Sequence, residues 1–203
     1  MKDLGTTKKI LSMVITRKNK EEKLIISQTG YLSKVLDRFN MSSSKPVSMP
    51  IAGHFKFSND QCPKTNEDTK RMESVPYSEA IGCLMYSMVS TRPNLAYPIG
   101  VLSRYMANPG ESHWECLKWL LRYIKGTLNY GLHFKKSKGQ IQLEGFVDSD
   151  YAANRDNRKS VISFIFLLNG NCICWKTQLQ PVVALSTIEA EFMAVTEAIK
   201  EGI

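Results

Sequence analysis

The chain has 203 residues, 43% hydrophobic and 23% charged. That balance suits a folded globular chain and excludes one that is disordered throughout. The formal charge of +8 is uneven: residues 141–203 hold 5 Lys/Arg and 8 Asp/Glu, whereas residues 1–140 hold 22 and 11. A basic body beside an acidic end suits a polyanion grip next to a cation site, or simply a lysine-rich solvated surface. Cys62, Cys83, Cys116, Cys172 and Cys174 form no C-x-x-C pair, and His54, His113 and His133 lie far apart. Zinc ribbons and disulfide frameworks are therefore not indicated, and reduced thiols are expected. No apolar run approaches the roughly 20 residues of a membrane span, and the first residues do not form a signal peptide. The expectation is a soluble intracellular protein, cytoplasmic or nuclear.

Residues 8–16, KKILSMVIT, predict a strand, RKNKEE a turn, and residues 23–28, KLIISQ, the returning strand. Thr29 is placed to cap a helix through about Phe39. Within it Leu32, Val35, Leu36 and Phe39 fall at i, i+3, i+4 and i+7 and make one apolar face. Residues 1–40 thus read as a hairpin and a packing helix. Residues 41–76 contain Pro46, Pro50, Pro63 and Pro76 among Ser, Lys and Asn. They predict a long irregular connector.

Residues 77–129 read as helical. PYSEAIGCLMYSMVS carries Ala80, Gly82 and Ser87, small enough for close packing on several sides. Thr91 and Pro93 mark the next helix start. Pro98 falls well inside that helix, where a missing donor costs about 3 kcal/mol or kinks the axis. ESHWECLKWLLRYIKGT predicts a helix opened by a Ser112–Glu115 capping box and stopped at Gly126. Trp114, Leu117, Leu121 and Ile124 line its apolar face. Lys118, Arg122 and Lys125 line a basic face that suits either phosphate or plain solvent.

A third module is expected at residues 130–203. Strands are predicted at 130–135, 141–151 and 160–168. Asn169-Gly170 is a strong hairpin signal leading into a strand at 172–177. Ser186 and Glu189 form a second capping box, opening a helix whose apolar face is Phe192, Val195 and Ile199. Three antiparallel strands and a helix give an α+β unit.

GFVDSDYAANRDNRKSV raises the question of metal. Asp148 and Asp150 share one face of their strand, so alternation does not choose between them. Glu189 is accounted for as a cap, which frees Glu191. A strand acid facing a helix acid could help to hold Mg²⁺, whose ligands are oxygens. Two such ions about 4 Å apart could drive phosphodiester hydrolysis. Exposed acids with no ligand at all are the plainer alternative.

The chain resembles the Pol polyprotein of copia-type retrotransposons over nearly its full length. MKDLG…KKILSMVI looks like the segment after the polymerase catalytic hairpin. SQTGYLSKVLDRFNM…KPVSMP looks like the start and exit of the reverse transcriptase thumb. PYSEAIGCLMYSMVSTRPNLAYPIGVLSRYMANPGESHWECLKWLLRYIKGT is similar to the connection region and is the most specific match. The stretch from GFVDSDYAANRDNRKSV to EAEFMAVTEAIKE resembles the first half of a ribonuclease H domain.

The resemblance implies Asp148 as the first ribonuclease H carboxylate and Glu191, in EAEFMA, as the second. Asp150 and Glu189 match as neighbours, with Asp150 lending a third charge to the metal. Arg158 and Lys159 match the turn before the second strand and become candidate nucleic-acid neighbours. The implied cofactor is Mg²⁺. The implied partners are an RNA–DNA hybrid or other nucleic acid held through phosphates, and the rest of the polyprotein, with no membrane. The family's Y-x-D-D polymerase hairpin does not occur in these residues, and its last two ribonuclease H acids would fall beyond Ile203. The expectation is a thumb and connection fragment with an incomplete ribonuclease H-like domain, inactive as a lone chain. The alternatives are a host-adopted nucleic-acid- or protein-binding module, or a ribonuclease H completed in trans.

Overall fold

The computed structural model describes residues 5–137 and 139–202. Residues 1–4, which open the MKDLG stretch, and Ile203 lie outside the described residues. Two antiparallel sheets flank a helical body. The first has the order β1 (Lys9–Ile10), β2 (Met13–Lys18), β3 (Lys23–Ser27), β4 (Gly131–Lys135). The single strand expected at 8–16 is in fact two. Leu11 and Ser12 take φ of 45° and 63°, the left-handed pair that a tight two-residue hairpin needs. Neither is Gly, Asn or Asp, so turn chemistry does not mark the site.

The strand expected at 130–135 also belongs elsewhere. It does not join the sheet that follows it but pairs with β3, Leu24 opposite Phe134 and Ile26 opposite Leu132. The free edge of β3 is satisfied in this way. Gly131 permits the approach, because a Cβ there would collide with the Ile26 carbonyl.

The body is built from α1 (Thr29–Arg38), α2 (Asn66–Glu73), α3 (Tyr77–Ser90), α4 (Ala96–Leu102) and α5 (Glu111–Gly126). Leu32, Leu36, Ile81, Leu84, Leu95, Ile99, Leu117, Leu120 and Leu121 are fully buried in its core. Each such side chain contributes roughly 1.5–3 kcal/mol of transfer free energy. Thr29 is the first residue of α1 rather than its cap, and its hydroxyl donates to the Leu128 carbonyl at 3.1 Å. The connector is not wholly irregular: Thr65 caps α2 by accepting from the Asp68 N–H at 3.2 Å. A 3₁₀ turn at Pro93–Leu95 precedes α4. Pro98 therefore sits in the first turn of α4, where its missing N–H has no intrahelical partner to lose.

The capping box expected at Ser112 and Glu115 is displaced. Gly110 precedes α5, and its N–H donates to His113 Nδ1 at 2.8 Å. A Cβ at Gly110 would strike the Gln61 carbonyl. Packing of the connector thus selects the cap, overriding the local Ser-x-x-Glu pattern.

The second sheet has the order β5 (Leu143–Asp150), β6 (Val161–Leu168), β7 (Asn171–Leu179). Asn169 and Gly170, at φ of 50° and 74°, make the expected tight turn. Helix α6 (Thr187–Gly202) packs on one face. Ser186 Oγ accepts from the Glu189 N–H at 3.1 Å, and Glu189 accepts from the Leu185 N–H at 2.7 Å. The packed face of α6 is not the expected one. Ala190, Ala194 and Ala198 are buried, the last two against Ile162 and Phe164. Phe192, Val195 and Ile199 point outward. Bulky sheet residues already fill the gap, so only methyl groups fit on the helix side.

Cross-contacts join the two parts. Trp175 Nε1 donates to the Met88 carbonyl at 3.0 Å, and the Asn59 N–H donates to Asp156 at 2.8 Å. Asn171 and the Lys135 backbone exchange bonds at 2.7 and 3.1 Å. The architecture is mixed helix and antiparallel sheet. Among the described residues no helix is long and apolar enough to cross a membrane.

Candidate metal and nucleic-acid site

Asp148 and Asp150 lie on β5, exposed on one face of the strand. Their neighbour Val147 points the other way, into the cluster beneath α6. The two acids therefore leave the sheet on the face turned away from α6. That face borders a cleft of about 500 Å³ whose walls include Pro93, Tyr97, Phe146, Asp148 and Trp175. Asp150 accepts a long hydrogen bond from the Tyr97 hydroxyl, at 3.4 Å. Burial, then the Asp150 charge, raises the Tyr97 phenol above its ordinary value.

Glu191 is exposed on α6, one position past the buried Ala190. Among the described residues no group of three or more His, Cys, Asp or Glu side chains is placed to hold a metal ion. The expected trio of Asp148, Asp150 and Glu191 is thus not assembled as a ligand cluster. Carboxylate oxygens are the right donors for Mg²⁺, but the set these residues present is incomplete.

The basic residues divide into two groups. Lys118, Arg122 and Lys125 are half-buried on α5. Arg122 Nε donates to the Lys45 carbonyl at 2.7 Å, and Lys125 Nζ donates to the Ser44 carbonyl at 2.6 Å. The Arg122 guanidinium also lies 5.0 Å from the centroid of the Trp119 ring, whose Nε1 donates to the Met49 carbonyl at 2.9 Å. This face of α5 ties down the connector, a role that the sequence did not suggest.

Arg158 and Lys159 lie in the turn between β5 and β6. Arg158 is exposed, with φ of 60°, and its N–H donates to the Asn154 carbonyl at 2.8 Å. Lys159 Nζ donates to the Pro181 carbonyl at 2.6 Å. Buried Ser160 and Asn154 hold the turn: Ser160 Oγ accepts from the Ala152 N–H at 3.1 Å, and Asn154 Oδ1 accepts from the Asp156 N–H at 2.9 Å. Arg155 is exposed in the same loop.

Two buried polar groups escape sequence reasoning. Arg92 is fully buried. It donates to the Thr127 carbonyl at 3.1 Å, to Thr127 Oγ1 at 2.6 Å and to Asn94 at 3.1 Å. Burial lowers its affinity for the proton. His113, also fully buried, stacks on Tyr105 with ring centroids 4.0 Å apart. Burial pushes its imidazole down to about 4, against a smaller opposing pull from Asp156. Neither residue stands in a motif. Their only sequence signal is a polar residue beside apolar periodic positions.

No family model matches the chain, and no solved structure does. Curated relatives do. The chain is 50% identical, over all 203 residues, to the retrovirus-related Pol polyprotein from transposon TNT 1-94 of Nicotiana tabacum, spanning 15% of that protein. It is 33% identical over 187 residues to the Pol polyprotein from transposon RE2 of Arabidopsis thaliana, covering 92% of this chain and 12% of that one. It is 44% identical over 132 residues to the secreted RxLR effector protein 161 of Plasmopara viticola, covering 65% of this chain and 92% of that protein. The chain belongs to the Pol polyproteins of copia-type retrotransposons and corresponds to a short part of them.

Proposed function

We propose that these residues form the thumb and connection part of a Pol polyprotein followed by the front of its ribonuclease H-like unit. Their work is to hold nucleic acid, above all RNA–DNA hybrid, through phosphates. The observation that carries this reading is relatedness along the whole chain to the tobacco polyprotein, at 50% identity. The basic excess of residues 1–140, 22 Lys/Arg against 11 Asp/Glu, supports it. Arg155 and Arg158, exposed in the turn that follows β5, supply further cations. Within the polyprotein, contacts with its other parts complete the unit.

In this reading Asp148 is one carboxylate of a larger ligand set, and Glu191, on the helix at the other face of the sheet, is not brought to it. A bound Mg²⁺ would supply Lewis-acid activation of water and of the leaving oxygen. These residues alone hold such an ion weakly and do not hydrolyse hybrid, because two-metal chemistry needs more acids than they provide. The test is binding of a labelled RNA–DNA hybrid across a salt series. Affinity should fall steeply with salt and show little sequence preference. Salt-independent binding, or none, would overturn the grip.

A second reading has one specific support. The Plasmopara relative, named as a secreted effector, is aligned over 92% of its length. A piece of this kind can therefore stand as a separate protein, and a binding role without Pol chemistry is the alternative. A protein partner recovered with no hybrid binding would favour it.

A further inference from the structure

A second cleft, of about 200 Å³, lies where the connector, α4 and the turn after β5 come together. Lys56 lines it from the connector and Tyr97 from α4. Arg104 and Tyr105 line it from the 3₁₀ turn Ser103–Tyr105, and Asn154 and Arg155 from the turn that follows β5. Lys56 and Arg155 are exposed, and Arg104 is half-buried. Among the described residues none of these three cations is ion-paired with a carboxylate.

Two groups in the cleft have donors to spare. Arg104 Nε donates to the Gly100 carbonyl at 3.1 Å, while its two terminal nitrogens have no partner among the described residues. Burial lowers the hold of Arg104 on its proton, with Tyr105, Tyr97 and Asp150 pulling the other way. A guanidinium taken partly out of water with no counter-ion is unfavourable, and an anion beside it offsets that cost. Asn154 is 8% exposed. Its Oδ1 accepts from the Asp156 N–H at 2.9 Å, which fixes the orientation of the amide. The Asn154 amide nitrogen, without a partner among the described residues, is left for the cleft.

We propose that this cleft seats one backbone phosphate of a nucleic-acid strand. The inference rests on the grip reading and gives it a location. Every group left over in the cleft is a donor: the Arg104 fork matches two phosphate oxygens, Lys56 and Arg155 add charge, and Asn154 adds a neutral N–H. Two carboxylates lie close by, and neither lines the cleft. Asp150 accepts from the Tyr97 hydroxyl and Asp156 from the Asn59 N–H. Three cations set against these two acids leave one positive charge, which a phosphodiester, singly negative, balances. Tyr97 also lines the larger cleft that holds Asp148. A strand seated by its phosphate on one side of Tyr97 can lay a base on the other, where Phe146 and Trp175 offer aromatic surface. A free phosphate ion or an acidic peptide has no use for that second surface.

The test is amide and arginine NMR of the 203-residue chain, joined to hybrid binding over a salt series. Adding a short RNA–DNA hybrid should shift the Asn154 side-chain amide and the Arg104 Nε–H signals. Inorganic phosphate or a polyglutamate peptide at the same concentration should leave both in place. Lys56→Ala with Arg155→Ala removes two exposed side chains, so circular dichroism and melting temperature should not change. Hybrid affinity should fall about tenfold at low salt, and the salt slope should drop by about one, the share of a single phosphate. Lys34→Ala with Lys70→Ala removes the same charge from exposed sites elsewhere and should change the slope by less than half as much. A chain that binds no hybrid would overturn the grip itself, and the seat with it. Hybrid binding that leaves Asn154 and Arg104 unmoved, or an equal slope change in the two double variants, would overturn the seat and spare the grip. Shifts produced equally by inorganic phosphate or by polyglutamate would make the cleft a general anion site and overturn its assignment to a strand.

Discussion

Arg92 and Thr127 are joined by two hydrogen bonds in the buried core, one to the carbonyl at 3.1 Å and one to the hydroxyl at 2.6 Å. The pair links the junction of α3 and α4 to the end of α5, just before the chain turns into β4. A third bond reaches Asn94, which donates in turn to the Tyr123 hydroxyl at 2.7 Å. The guanidinium also lies 5.6 Å from the Tyr130 ring centroid. Thr91, beside it, donates to Gln28 at 2.8 Å. This polar network fixes where the first sheet meets the helices.

Arg92→Met keeps the stem and removes three donors. The Thr127 carbonyl then loses its Arg92 partner in a buried site, and the exposed Asn94 loses a hydrogen bond that water can replace. The cost is on the order of 3 kcal/mol, read as a fall in the urea midpoint at unchanged m-value. Arg92→Lys should recover only part of this, since an ammonium lacks the planar fork that reaches both Thr127 atoms.

Stability should fall on the acid side because of His113. Its folded value is about 4, below the roughly 6.5 of an unfolded histidine. Between these two values the unfolded chain binds a proton that the folded one refuses. The stabilisation is complete above about pH 6.5 and is lost as pH falls towards 4. It amounts to on the order of 3 kcal/mol. Urea denaturation from pH 7 to pH 4 should show this fall. His113→Phe should start less stable, by about 1 kcal/mol for the lost Gly110 bond, and vary less over the same window.

The clamp on the connector makes a separate prediction. Arg122→Ala with Lys125→Ala frees the Lys45 and Ser44 carbonyls. Limited proteolysis should then cut within residues 42–50 at least several times faster than in wild type. The salt slope of hybrid binding should change by less than it does in Arg155→Ala with Arg158→Ala, whose side chains are exposed. Equal proteolysis would show that the clamp does not hold the connector.

Local chemistry was legible in the sequence wherever one short stretch determines the outcome. Asn169-Gly170 makes its hairpin, Ser186 and Glu189 cap α6, and Leu32, Val35 and Leu36 turn inward together. What is not legible is set by distant chain. Gly131 and Ile26 are far apart in the sequence yet adjacent in the sheet, and at Gly110, which precedes α5 in place of Ser112, the Gln61 carbonyl leaves no room for a side chain. Phe192 outranks Ala190 in hydrophobicity, yet the space above the sheet admits only the alanine. Asp148 is chosen by resemblance alone, since strand alternation gives Asp148 and Asp150 equal standing, whereas Glu191 already stands apart once Glu189 is accounted for as a cap.

We propose that these residues grip nucleic acid and do not cut it by themselves. Hydrolysis of a labelled RNA–DNA hybrid by the purified 203-residue chain, with Mg²⁺ or Mn²⁺, tests it most directly. The account predicts binding that weakens with salt and no cleavage above the rate without protein. Cleavage that disappears in Asp148→Asn would contradict it and show that the carboxylate set is completed between chains.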